Sequence, residues 1–111
     1  VSKYKSVPTV VDNVRFASKK EAARYLELKA SLRAGIIENL VFQPRFPLYV
    51  NKIKVADYVA DFSYKVGPHQ RNGKWSNSES IVEDCKGMQT PIYRLKKKMF
   101  EAQYGLKILE T

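Results

Sequence analysis

With 111 residues, 44% of them hydrophobic, the chain is expected to form one domain around one modest core. No run approaches the roughly 18 apolar residues of a membrane span, and residues 1–5 lack a signal peptide's apolar stretch, so a soluble, intracellular protein is expected. One cysteine, Cys85, and one histidine, His69, argue against a disulfide scaffold, zinc fingers, histidine metal sites and Ser-His-Asp or Cys-His hydrolases. The net charge of +9 is uneven: residues 1–20 hold five basic residues against Asp12, residues 86–98 hold five and no acid, and eight of eleven acids lie between. Such a pattern suits a polyanion gripped beside a small acidic site, or a merely solvated basic surface.

Residues 1–13 read as a basic arm, with a short extended piece at 9–11, and residues 14–111 as the single domain. Val14 to Phe16 forms a brief strand or turn. Ser18 opens a helix that runs to about Ala34 and is stopped by Gly35. Glu21, Tyr25, Leu28 and Leu32, with Ala22 and Leu26 alongside, make its apolar face, headed by a carboxylate. Residues 36–42 favour a strand, Pro44 and Pro47 bracket an extended edge segment, and Asn51-Lys52 suits a tight turn. Residues 55–64 predict one continuous strand with Val59, Asp61 and Ser63 on one side.

Residues 66–80 form a long polar hairpin tip in which Trp75 either packs back on the sheet or stacks on a ligand. Residues 81–87 are the next strand, with Val82, Asp84 and Lys86 facing one way and Ile81, Glu83 and Cys85 the other. Thr90 caps a second helix with Pro91 in its first turn, ending at Gly105. Ile92, Leu95 and Met99 are its expected core stripe, with Arg94, Lys97 and Lys98 toward solvent. A last short strand follows at 106–109. The order predicts a mixed sheet with helices packed on it, an α/β fold.

Asp61 on one strand and Asp84-Cys85-Lys86 on the next are the strongest candidates for chemistry. Residues i and i+2 of a strand share a face, and pairing can bring Asp61 beside Asp84 and Lys86. Two carboxylates held together repel unless neutralised, and a hard divalent cation, Mg²⁺ or Mn²⁺, does this with oxygen ligands. The plainer reading is a surface ion pair between Asp84 and Lys86 with Asp61 an ordinary solvated acid. Cys85 is expected to be a small buried side chain.

Four segments in order carry a likeness: Phe16-Ala17-Ser18-Lys19-Lys20-Glu21, Gln43-Pro44-Arg45-Phe46-Pro47-Leu48, Ala60-Asp61-Phe62 and Val82-Glu83-Asp84-Cys85-Lys86-Gly87. Together they resemble the PD-(D/E)XK nuclease superfamily, more narrowly its small phage and prophage endonuclease-like members. Archaeal-type Holliday-junction resolvases and the endonuclease subunit of some heteromeric transposases are similar in layout. The likeness spans about residues 14–109. It implies a restriction-endonuclease-like mixed sheet flanked by helices, with an α-β-β-β-α-β core.

The same resemblance implies a role for each matched residue. Asp61 and Asp84 would be the two motif acids and metal ligands, Lys86 the motif lysine, and Glu21 a further helix carboxylate, ligating directly or through water. Ala60 stands where the motif's proline is often absent. Glu21 has a rival role, since Ser18-Lys19-Lys20-Glu21 is also a capping box. The implied activity is a Mg²⁺- or Mn²⁺-dependent DNA endonuclease acting on branched or structured DNA, phage or prophage encoded, in the cytoplasm of a bacterial host. A less structure-selective or single-strand-acting nuclease and a non-catalytic DNA-binding module are the alternatives.

Lys3, Lys5, Lys19, Lys20, Gln43, Arg94, Lys96 and Lys97 are the candidate DNA contacts, Gln43 being equally readable as an edge-strand polar residue. Tyr93, Phe100 and Tyr104 share a stripe that suits core packing or a dimer contact, and a homodimer would supply two coordinated cuts on a junction.

Overall fold

The computed structural model describes residues 8–71, 73–76, 78–85 and 89–111, with the backbone alone for 69–71 and 74–76. Lys3, Lys5 and Lys86, and the side chain of Trp75, lie outside the described residues. Strands β1 (Thr9–Val11) and β2 (Val14–Phe16) form an antiparallel hairpin. Asp12 and Asn13 turn it with φ of 51° and 62°, the left-handed pair that a two-residue hairpin requires. Helix α1 (Lys19–Arg33) starts where the extended Ser18 accepts the Glu21 N–H on its Oγ, 3.2 Å away. Its buried face is Ala22, Tyr25 and Leu28; Leu26, expected on that face, is 48% exposed. One step of 100° past Tyr25 carries it off the stripe.

Strands β3 (Ile37–Phe42), β4 (Arg45–Val50), β5 (Ile53–Val59), β6 (Phe62–Val66), β7 (His69–Arg71), β8 (Lys74–Ser76) and β9 (Glu79–Asp84) follow. Helix α2 (Pro91–Tyr104) and β10 (Ile108–Glu110) complete the chain. The principal sheet has the order β10-β9-β6-β3, antiparallel except for the parallel β9–β10 pair that α2 connects. In chain order its elements are α1, β3, β6, β9, α2 and β10, so the expected α-β-β-β-α-β sequence and the mixed α/β class are both observed.

The continuous strand expected at 55–64 is instead broken at Ala60 and Asp61. β5 pairs with β4, β6 pairs with β3, and the ladder bends between them. Pro44 has no N–H for the ladder and Gln43 takes φ of 55°, so β3 kinks before β4 and its partner kinks with it. Gln43 N–H to Asp61 C=O at 2.8 Å and Ala60 N–H to Pro44 C=O at 3.1 Å hold the bend closed. Asp61 thus sits at a corner rather than mid-strand.

The sheet separates two cores. On the α1 face Phe16, Ala22, Tyr25, Leu28 and Ile37 pack on Phe62, Tyr64 and Cys85. On the α2 face Leu48, Tyr58, Ala60, Val82, Tyr93, Phe100 and Ile108 pack together. Of the stripe expected on α2, Met99 packs against this core, whereas Ile92 and Leu95 are 65% and 59% exposed and Tyr93 and Phe100 are buried instead. Shape decides this, because Phe46, Tyr58, Phe100 and Tyr104 stack and interlock with ring centroids 4.8–6.3 Å apart. Tyr93 and Phe100 are therefore core residues of this chain, and the half-buried Tyr104 packs against them, which is the core reading of that stripe. Among the described residues no helix is long and apolar enough to cross a membrane.

Candidate functional site

β6 and β9 pair with Phe62 opposite Glu83 and Ser63 opposite Val82. The ladder ends at Phe62 and Glu83, with Asp61 the residue before the one and Asp84 the residue after the other. Two hydrogen bonds hold Asp61 at the corner: its N–H donates to the Glu83 carbonyl at 3.2 Å, and its Oδ2 accepts the Cys85 N–H at 2.6 Å. Asp61 is thus tied to the residues on either side of Asp84, and both acids act electrostatically on the Tyr58 hydroxyl.

Asp84 is fully buried and turned toward α2, where the Tyr58 hydroxyl donates to its Oδ2. Thr111 N–H donates to its carbonyl at 3.0 Å, tying β10 to the same corner. Burial foremost, then the bond to Asp84, pushes the Tyr58 hydroxyl well above the ordinary tyrosine range, with Asp61 adding to the effect. Tyr58 therefore remains a proton donor to Asp84 at any physiological pH.

Glu83, one residue earlier, is fully buried on the opposite face. Arg24 of α1 grips it with two bonds, Nε to Oε2 at 2.6 Å and Nη2 to Oε1 at 2.9 Å. The Tyr64 hydroxyl donates to Oε1 at 2.8 Å, and the Thr111 hydroxyl donates to Oε2 at 3.4 Å. Glu83 and Asp84 face opposite ways, as the strand alternation predicts, with no bulge to re-aim Glu83 into the site. Cys85 is buried, as expected, and its thiol is pushed up by burial first. Asp61, Glu83 and Glu21 add to that shift, placing all three acids within electrostatic reach of the residue that follows Asp84.

Glu21 is half-buried in the first turn of α1, and one half of the capping box is present in the Ser18 bond to its N–H. Among the described residues, no three His, Cys, Asp or Glu side chains meet in a group able to hold a metal ion. Glu21 stands within electrostatic reach of Cys85 at the same corner. Lys19 and Lys20 are exposed at the start of α1, and Lys20 lines an open hollow with Arg24, Glu27, Cys85 and Thr111. Gln43 is exposed and joined through its backbone to Asp61. Arg94 is exposed and Lys96 half-buried, while Lys97 is held by Glu110 at 2.9 Å. That bond takes Lys97 away from the solvent position expected of it.

Sequence reasoning missed Tyr58 and Arg24, for different reasons. Arg24 was findable: an acid alternating inward toward a helix asks for a cation on that helix. Tyr58 was not, because the bend at Ala60 decides what it reaches.

Fold and site together define a mixed α/β domain whose central ribbon ends beside Asp61 and Asp84. The family model described as "Protein of unknown function (DUF1064)" matches residues 1–109. The chain belongs to that family. Comparison with curated proteins and with solved structures returned no match.

Proposed function

We propose that the chain is a divalent-metal-dependent DNA endonuclease of the PD-(D/E)XK kind. The observation that carries this reading is the corner at which Asp61 bonds to the residues on either side of Asp84, two residues before Lys86. A divalent cation neutralises two neighbouring carboxylates directly. The donor chemistry fits: carboxylate oxygens suit Mg²⁺ or Mn²⁺. When bound, such an ion lowers the pKa of a water and stabilises charge on a phosphodiester.

The chain's own residues have separable tasks in this reading. Asp61 and Asp84 would hold the ion, with the Tyr58 hydroxyl fixing the Asp84 carboxylate and the Cys85 N–H fixing that of Asp61. Glu21, within electrostatic reach of Cys85, would complete the shell directly or through water. Lys86 would neutralise the phosphate or orient the nucleophile. The excess of basic residues, +9 in all, favours a polyanionic substrate. Branched or structured DNA in phage recombination or DNA processing is the proposed substrate class, with a less structure-selective nuclease as the alternative.

The test is incubation with Mg²⁺ or Mn²⁺ and linear, single-stranded, flapped and four-way DNA. Metal-dependent cleavage that vanishes in Asp61→Asn and Asp84→Asn supports the reading. DNA binding without cleavage under any of these conditions replaces it with a non-catalytic module.

A further inference from the structure

Helix α1 has a second face beside its buried one. Lys20, Ala23, Arg24 and Glu27 fall at i, i+3, i+4 and i+7, so they line up along successive turns. Lys20, Ala23 and Glu27 are exposed, and with Arg24, Cys85 and Thr111 they line an open hollow of about 350 Å³. Small-molecule sites start at about 300 Å³, so the hollow has room for one ring system and its substituents.

Two walls of the hollow belong to the corner that holds the acids. Cys85 N–H donates to Asp61 Oδ2 at 2.6 Å, and Thr111 N–H donates to the Asp84 carbonyl at 3.0 Å. Anything seated in the hollow therefore lies against the residues that fix Asp61 and Asp84.

The lining favours a flat occupant over a small anion. All three Arg24 nitrogens donate to carboxylates: Nε and Nη2 to Glu83 at 2.6 and 2.9 Å, and Nη1 to Glu27 at 3.2 Å. Those bonds run along the edges of the guanidinium and pin its plane, so the flat face is what the 28%-exposed side chain has left to offer. A bare anion gains little here, because Glu27 and Glu83 balance Lys20 and Arg24. Ala23, the Cys85 side chain and the stem of Lys20 supply apolar contact around that plane. Guanidinium planes are stacking platforms for unstacked nucleobases.

We propose that the hollow is a pocket for one unpaired nucleobase of the DNA strand held at Asp61 and Asp84, stacked on Arg24, with Lys20 at the rim meeting a neighbouring phosphate. This rests on the reading that the chain acts on DNA, and it names the feature by which the substrate is selected. A base inside a duplex is stacked on both sides and must first be extruded, so single-stranded, flapped or junction DNA enters more readily.

The experiment uses the full chain in EDTA, so that binding is read without cleavage, and three fluorescein-labelled DNAs of 15 nucleotides: a single strand, the same backbone built of abasic sites, and a duplex. The wild-type chain should bind the natural strand about tenfold more tightly than the abasic one. Ala23→Leu fills the hollow from an exposed helix position that leucine suits, and Arg24→Lys keeps a cation for Glu83 while removing the plane. Both should lower the affinity for the natural strand about tenfold and leave that for the abasic strand within about twofold. Lys20→Ala should instead weaken both strands and flatten the slope of log K against log salt by about 0.7, the loss of one phosphate contact on a single strand. A preference for the natural strand that survives in both Ala23→Leu and Arg24→Lys, or its absence from the wild-type chain, overturns the pocket and leaves the nuclease reading standing, as does binding to the duplex alone. Failure of the wild-type chain to bind any of the three DNAs overturns both.

Discussion

Glu83 and Asp84 are neighbours in the chain, both fully buried, yet their surroundings have little in common. On the α1 face, Glu83 meets a bidentate guanidinium and two hydroxyl groups. On the α2 face, Asp84 receives the neutral Tyr58 hydroxyl, on which Asp61 also acts. A carboxylate gripped by a cation on its own face of the fold is accounted for by stability. The proposed function assigns chemistry to Asp84 and stability to Glu83, a contrast that can be broken from either side.

The largest effect expected from breaking this contrast is on cleavage. Asp61→Asn and Asp84→Asn should remove metal-dependent cleavage while leaving DNA binding equal or tighter, since each removes a negative charge facing phosphates. Cleavage at the wild-type rate by either variant sinks the assignment.

On the other face the order of effects is reversed. Arg24→Ala strands a fully buried carboxylate and should cost about 3 kcal/mol, the low end for a broken buried pair because Arg24 is 28% exposed. Replacing both partners, as in Arg24→Met/Glu83→Leu, should return most of that loss. Urea melts of the two variants decide it, and a double variant no better than the single one would remove Glu83 from the structural class.

High pH gives a smaller and graded effect. Burial first, then the bond to Glu83, pushes the Tyr64 hydroxyl up to about 12, against about 10 in an unfolded chain. The unfolded state therefore releases this proton first. Stability from this group is whole below pH 10 and is lost as pH rises toward 12, at about 1.4 kcal/mol per pH unit. Tyr58 and Tyr93, raised further by burial, act in the same direction. Denaturant melts from pH 8 to 11.5 should show the fall, and Tyr64→Phe should make it shallower; an unchanged slope in that variant would place the loss elsewhere.

Much of this fold was legible because short-range rules decided it. Ser18 and Thr90 as caps, Gly105 as a left-handed terminus at φ of 69°, and the opposite facing of Glu83 and Asp84 all follow from neighbours a few residues apart. The faults came where long-range packing chose among local options. On α2, counting apolar residues favoured Ile92 and Leu95, whereas the rings of Tyr93 and Phe100 fit the space beside Tyr58. At Ala60 the strand pattern ran on unbroken in sequence, and only pairing with the kinked Gln43-Pro44 segment bends it. The acids of the site were visible as types and spacings; the residues that hold them were not, because Tyr58 and Arg24 reach them from other elements.

The smallest effect concerns that kink. Gln43 holds φ of 55°, a left-handed conformation that costs a residue with a side chain about 1 kcal/mol and that glycine adopts freely. Its N–H bonds to the carbonyl of Asp61, so the strain is stored beside the paired acids. Gln43→Gly should therefore keep the bend and raise stability by up to about 1 kcal/mol, less whatever glycine adds to the entropy of the unfolded chain. If the exposed amide of Gln43 serves the substrate, the same variant should bind DNA more weakly while melting at the same or a higher temperature. Anisotropy titrations and thermal melts on one preparation separate the two contributions. A variant that melts higher and binds DNA as the wild type does would make Gln43 a residue of the bend alone, and the contrast at the ribbon's end would then rest on Asp61, Asp84 and the groups that hold them.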